Sequence, residues 1–163
     1  WGGAGGKVVL IGGAADGATR MAESVHMLGG TAVYSHRYVP DATHLITDAP
    51  KRTEKFLCCA AAGKWVLKPG FITASVAAGR WVNEEDWEWH EPNRTENAVW
   101  HGASRKWREE WTRLGTGPFS GMHALLPPST DPPAEVLCTV LRAGGANVFC
   151  SEAEGREDWH GEA

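Results

Sequence analysis

One strand–helix–strand pattern occurs twice in this chain, and the repetition restricts the possible folds more than any other feature. A shift of 115 positions aligns Leu10 with Leu125 and the pair Gly29-Gly30 with Gly144-Gly145. Each copy has a short apolar strand, an amphipathic helix that ends at the paired glycines, and a second strand. The second copy is predicted to be incomplete, because the counterparts of residues 44–47 form no strand pattern.

The first copy continues the alternation of strands and helices beyond its second strand. Its elements are predicted as a strand at 8–11, a helix from Ala18, strands at 32–34 and 44–47, a helix at 53–62, a strand at 65–67 and a helix from Pro69 to Gly79. The last helix is expected to bury Phe71, Ile72, Ser75 and Val76. The order β-α-β-β-α-β-α predicts an α/β fold with a mainly parallel sheet and helices on both faces.

A helix is also predicted between the two copies. An apolar stripe at helical spacing consists of Trp100, Trp107, Trp111 and Leu114. Charged pairs at i,i+4 spacing, Arg105 with Glu109 and Lys106 with Glu110, are expected on its solvent side. The linker is therefore predicted to pack as a helix and not to act as a flexible tether.

The acidic charge of the chain is concentrated at its end. The chain has 16 Lys and Arg against 20 Asp and Glu, and residues 151–163 account for the whole net charge of −4. A neutral body has no general attraction for polyanions, so direct nucleic-acid binding is not expected. No apolar run approaches the roughly 20 residues that a membrane span requires.

Catalytic and metal-binding patterns are absent from the sequence. The four cysteines, Cys58, Cys59, Cys138 and Cys150, form no CxxC pair and are predicted to be thiols. The histidines lack metal-ligand spacing, and His44 is expected to be a core or capping residue. Ile11-Gly12-Gly13 does not continue into the GxGxxG spacing of a dinucleotide loop. The sequence therefore predicts neither an enzyme nor a cofactor.

Several motifs together resemble those of a BRCT repeat. They are Leu28-Gly29-Gly30, Thr43-His44-Leu45-Ile46-Thr47, Thr53-Glu54-Lys55-Phe56-Leu57, Ala62-Gly63-Lys64-Trp65-Val66 and Phe71-Ile72-Thr73-Ala74-Ser75. The resemblance implies a BRCT fold with a small parallel four-stranded sheet. We expect a first repeat at 7–90, a linker at 91–118 with a Trp-rich helix, a truncated second repeat at 119–150, and a disordered acidic tail at 151–163.

The first repeat and the linker segment 105–110 also resemble the amino-terminal tandem BRCT module of the localisation factors of the SMC five-six complex. These are scaffolds that combine ankyrin repeats with BRCT repeats. The resemblance implies a nuclear protein of the DNA-damage response that binds a phosphorylated protein, expected to be a ubiquitin ligase at stalled replication forks. The SMC five-six complex would be an indirect partner, and no membrane partner is expected.

The resemblance also implies which residues would bind the phosphopeptide. The phosphate would lie at Gly12, Gly13, Thr53 and Lys55, and the peptide would contact Arg52 and Leu57. The amino end of the helix that carries Lys55 would favour an anion. Two positions depart from the family pattern, because Gly12 replaces the usual Ser or Thr and Phe71 replaces the usual Trp.

Two other functions remain open at this stage. The two repeats could assemble with another protein independently of phosphate. They could also bind DNA ends or poly(ADP-ribose), although this would require more positive charge than a neutral body has.

Overall fold

The computed structural model describes residues 6–12, 15–89 and 102–150. Strands β1 (Val8–Ile11), β2 (Thr31–Tyr34), β3 (His44–Ile46) and β4 (Trp65–Leu67) alternate with helices α1 (Ala15–Met27), α2 (Glu54–Ala61) and α3 (Gly70–Ala78). The strand order is β2-β1-β3-β4, and every neighbouring pair is parallel. The predicted α/β fold with a four-stranded parallel sheet is confirmed.

The sheet is covered by helices on both faces, because successive strand residues point to opposite sides. On one face, Val9 packs with Val25 of α1 and Phe71 of α3. On the other face, Leu10 packs with Phe56 of α2. The parallel arrangement also places the carboxyl ends of the strands at one edge of the sheet, next to the amino end of α2.

The bounds of α2 and α3 lie within one residue of the prediction, but the start of α1 and the burial of Val76 differ from it. Helix α1 begins at Ala15, three residues before the predicted start. Helix α3 ends at Gly79, whose φ of 63° is the left-handed conformation that favours glycine. Val76 was predicted to face inward, but it is 39% exposed. The inward side of α3 is formed by Phe71, Ile72 and Ser75 instead.

The linker forms helix α4 (Ala103–Leu114), but the predicted packing stripe is partly wrong. Leu114 is 54% exposed, while Ser104 is fully buried. The indole N–H of Trp111 donates to the carbonyl of Ala61 at 2.7 Å, which holds α4 against α2. Trp100 lies outside the described residues.

Helix α4 also uses its charged side for packing. Arg105 and Arg108 both donate to the carboxylate of Glu88, which has no exposed surface. The guanidinium of Arg108 lies over the ring of Trp65, 3.7 Å from its centroid. Arg105 was predicted to pair with Glu109 on the solvent side. The pair is present at 3.7 Å, but Arg105 also turns inward to the buried carboxylate of Glu88.

The second copy contains the predicted strand, helix and strand. These are β5 (His123–Leu126), α5 (Ala134–Ala143) and β6 (Asn147–Cys150), and the two strands pair in parallel. Strand β5 begins 115 residues after β1, whereas β6 begins 116 residues after β2. In agreement with this offset, Gly145 and not Gly144 has the positive φ found at Gly29. The second copy therefore contains one additional residue between its strands.

Three cysteines have a described environment. Cys58 and Cys59 of α2 are free and buried, and burial raises the pKa of both thiols to about 12. Cys138 is disulfide-bonded, so the prediction of a free thiol is wrong there. The protonated thiols of α2 are poor nucleophiles and serve as core residues.

Candidate functional site

The carboxyl end of β1 meets β3 closely at Gly12. The N–H of Gly12 donates to the carbonyl of Ile46 at 2.8 Å. A Cβ at Gly12 would lie 3.2 Å from that carbonyl oxygen, which is closer than most side chains tolerate. A serine or threonine at this position would crowd β3. Gly13, the other predicted phosphate-binding glycine, lies outside the described residues.

The amino end of α2 lies at the same edge of the sheet. Thr53 is the N-cap residue, with extended backbone at φ −95° and ψ 154°. Its hydroxyl oxygen accepts from the N–H of Phe56 at 3.4 Å. A hydroxyl that accepts a capping bond still has its own proton to donate. Thr53 is exposed, so its hydroxyl can cap the helix and donate to an anion at the same time.

Lys55 directs its ammonium toward the end of β2. Its Nζ donates to the carbonyl of Ser35, the residue that follows β2, at 2.9 Å. An ammonium has three donors, so this bond leaves two for other acceptors. Thr53 and Lys55 thus both lie at the carboxyl edge of the sheet, as predicted. The predicted contact of Lys55 with Gly13 stays a prediction.

The two predicted peptide contacts differ in their exposure. Arg52 is exposed just before α2. Leu57 is half-buried and packs against the cluster around Leu10 and Phe56. Helix α2 also packs against α5 of the second copy. Leu57 therefore lies on a helix that both repeats share, although part of its surface belongs to the core of the first repeat.

Three charged residues at this edge were not predicted as part of the site: Arg37, Glu54 and Glu135. The guanidinium of Arg37 donates to Glu54 at 3.1 Å and lies 2.9 Å from a carboxylate oxygen of Glu135. The negative charge of Glu135 is the first cause that raises the pKa of Arg37, followed by the hydrogen bond to Glu54 and the charge of Glu54. The N–H of Tyr38 also donates to Glu54 at 3.0 Å. No local pattern marks these residues, because folding brings them together from three separate segments.

His44 is the first residue of β3 and therefore lies at the amino ends of the strands, opposite the candidate site. It is a core histidine, as predicted. It is 4% exposed and stacks on Phe71 with the ring centroids 6.1 Å apart. Its Nε2 lies 3.4 Å from a carboxylate oxygen of Glu84, which also pairs with Lys7. Burial lowers the pKa of His44. The pKa of Glu84 is lowered to about 2, first by its hydrogen bond with His44 and then by its hydrogen bond with Lys7.

These two shifts predict that acid destabilises the fold in two stages. Between pH 7 and 5 the unfolded chain binds a proton at His44 more readily than the folded chain, so stability falls. Below about pH 4.5 the unfolded chain also binds a proton at Glu84 more readily than the folded chain, so stability falls further. We expect the free energy of unfolding in urea to decrease through both ranges. His44→Gln should flatten the first stage, and a stability that is constant from pH 7 to 5 would contradict the assignment.

Other kinds of site find little support in the part of the chain that the structure describes. A shallow groove between α1 and α3, lined by Arg20, Met21, Ile72 and Thr73 among others, lies on the face of the sheet away from α2. Within the described ranges, no group of His, Cys, Asp or Glu is arranged to hold a metal ion. None of the described helices is long and apolar enough to cross a membrane.

Comparisons with known proteins give one consistent result. The family model of the BRCT domain of Regulator of Ty1 transposition protein 107 matches residues 17–89. The chain is 38% identical over 123 residues to human SMC5-SMC6 complex localization factor protein 1, an alignment that covers 73% of this chain and 12% of that protein. A BRCT domain-containing protein of Arabidopsis thaliana is 31% identical over 119 residues, an alignment that covers 72% of this chain and 9% of that protein.

Solved structures share the fold at lower identity. The BRCT5-BRCT6 domains of S. pombe Brc1 superpose with a TM-score of 0.63 and 17% identity, covering 89% of this chain and 66% of theirs. Rtt107p in complex with a phosphorylated histone gives a TM-score of 0.54 and 18% identity, covering 91% of this chain and 63% of that one. The chain thus spans only a small part of its curated relatives and about two thirds of these two structures.

Proposed function

Because the chain belongs to the BRCT domain family, whose model it matches over residues 17–89, we propose that it binds phosphorylated protein segments and acts as a non-enzymatic interaction module. The pocket would lie where the carboxyl ends of β1 and β2 meet the amino end of α2. The observation that carries the proposal is the position of Lys55, whose ammonium lies at this edge, 2.9 Å from the carbonyl of Ser35.

The chemistry of this edge suits a phosphate group. A phosphoserine has about 1.5 to 2 negative charges and three strong acceptor oxygens. The free N–H groups and the dipole at the start of a helix favour such a group, and Lys55 adds a full positive charge. Thr53 can donate its hydroxyl proton, while Gly12 and Gly13 would allow the backbone to approach closely. Arg52 and Leu57 would contact the peptide on either side.

Known relatives support a role in genome maintenance. The human relative is named for localising the SMC5-SMC6 complex, and Rtt107p was solved with a phosphorylated histone. We therefore propose a nuclear scaffold of the DNA-damage response that recruits genome-maintenance complexes to damaged or stalled replication sites. A ubiquitin ligase is the proposed phosphorylated partner, and the SMC five-six complex would be recruited indirectly.

A pair of matched peptide libraries tests the phosphate-dependent function. Libraries with a central phosphoserine or a central serine and otherwise degenerate positions are passed over the immobilised chain. We expect phosphoserine peptides to be retained, and the strongest of them to bind at least about tenfold more tightly than its serine twin in fluorescence polarisation. Equal retention would contradict the proposal and favour phosphate-independent assembly. Binding of DNA or poly(ADP-ribose) with a steep loss in added salt would favour the polyanion alternative.

A further inference from the structure

The segment that follows β2 is fastened to the first turn of α2 by three polar contacts. Lys55 donates to the carbonyl of Ser35 at 2.9 Å, and Arg37 donates to Glu54 at 3.1 Å. The third contact is the N–H of Tyr38, which donates to the other oxygen of Glu54 at 3.0 Å. The side chains of Glu54 and Lys55 therefore approach one short segment, 35–38, from the same turn of helix.

Glu54 creates an electrostatic conflict at this position. Its side chain is only 11% exposed, so solvent screens its charge less than that of a surface residue. A carboxylate in the first turn stabilises the helix, and here it also holds Tyr38. The same negative charge, next to Lys55 in sequence, repels an incoming phosphate dianion. A group that neutralises Glu54 without displacing it would remove the conflict.

The geometry points to Arg37 as that group, and we propose that Arg37 is a positioning residue for phosphate binding, which neutralises Glu54 beside Lys55. This inference rests on the proposed phosphopeptide function. Arg37 also contacts Glu135 in the first turn of α5, so one guanidinium joins the starts of the helices from both repeats. The Glu135 contact is the shorter of the two, at 2.9 Å against 3.1 Å. Both of its side chains are more than half exposed, however, so solvent screens it more than the contact with Glu54, which is only 11% exposed.

The test is charge rescue, measured with the strongest phosphoserine peptide recovered from the library. Arg37→Ala is expected to weaken its binding about tenfold, because it leaves Glu54 without a counter-charge. Adding Glu54→Gln to Arg37→Ala should restore the affinity to within about twofold of the wild type. The glutamine still accepts from Tyr38 but has no charge. A purely structural role of Arg37 predicts further loss in the double variant.

Two controls complete the test. Arg113→Ala removes a comparable exposed arginine, which pairs with Glu110 in α4, and should leave the affinity unchanged. Thermal unfolding of each variant checks that the fold is retained. The inference is overturned if Arg37→Ala binds like the wild type, or if Glu54→Gln does not restore binding, while the wild type still selects phosphoserine. If the wild type does not select phosphoserine, the proposed function fails as well.

Discussion

Replacing Lys55 by glutamate is expected to abolish the preference of the chain for phosphorylated peptides. Hydrogen bonds to charged groups contribute about 1.5 to 3 kcal/mol each, and every 1.4 kcal/mol changes an affinity tenfold. Lys55→Met removes the ammonium without adding a charge, and the loss of one such bond should weaken binding of the phosphorylated peptide by about 10- to 150-fold. The glutamate adds repulsion of the phosphate, so phosphorylated and unphosphorylated peptides should bind equally. Fluorescence polarisation with the paired peptides measures both effects.

Lys106→Glu is the matched control for this prediction. Lys106 is an exposed lysine of α4, and its replacement changes the net charge of the chain by the same amount. It should preserve the preference for phosphoserine, which excludes a general effect of charge. The bond from Lys55 to Ser35 is lost in both Lys55 variants, so thermal unfolding must show that they remain folded. If a folded Lys55→Glu protein still prefers phosphoserine, the phosphate lies elsewhere.

The sheet and its helices could be predicted because their patterns are local. Each strand of the first repeat is a short apolar run, and the glycine that ends α3 has the expected left-handed backbone. The offset in the second copy could not be predicted in the same way. One extra residue changes neither the apolar run nor the helical period. It appears in the pairing of β5 with β6, which places the second strand one residue later, and in the positive φ of Gly145.

The candidate site was partly predictable for a related reason. A cap such as Thr53 and a cation in the following turn are neighbours in sequence, and their role follows from the start of a helix. Arg37 and Glu54 are 17 positions apart, and Glu135 belongs to the other repeat. The contacts of Glu88 could not be predicted either. Arginines that turn inward to a buried carboxylate have the same sequence spacing as arginines on a solvent-exposed helix face.

Replacing Glu88 is expected to cause the largest loss of stability. Its carboxylate is fully buried and accepts from Arg108 twice at 2.9 Å and from Arg105 at 3.1 Å. Removing one partner of a buried ion pair costs about 3 to 5 kcal/mol, since the remaining charge is left without compensation. At roughly 2 to 4 °C per kcal/mol for a chain of this size, Glu88→Ala should lower the midpoint of thermal unfolding by about 10 °C.

Whether an uncompensated arginine destabilises Glu88→Ala can be tested by removing that arginine as well. Arg108 is 11% exposed and would be the charge left behind in Glu88→Ala. Since apolar residues can replace a buried ion pair at little cost, Glu88→Met combined with Arg108→Met should recover most of the stability that Glu88→Met alone loses. Glu109→Gln removes an exposed carboxylate that also faces Arg105, at 3.7 Å, and should change stability by less than about 1 kcal/mol. A Glu88→Ala protein as stable as Glu109→Gln would mean that the carboxylate does not hold α4 in place, and that the indole of Trp111 and the other packing contacts of α4 are sufficient.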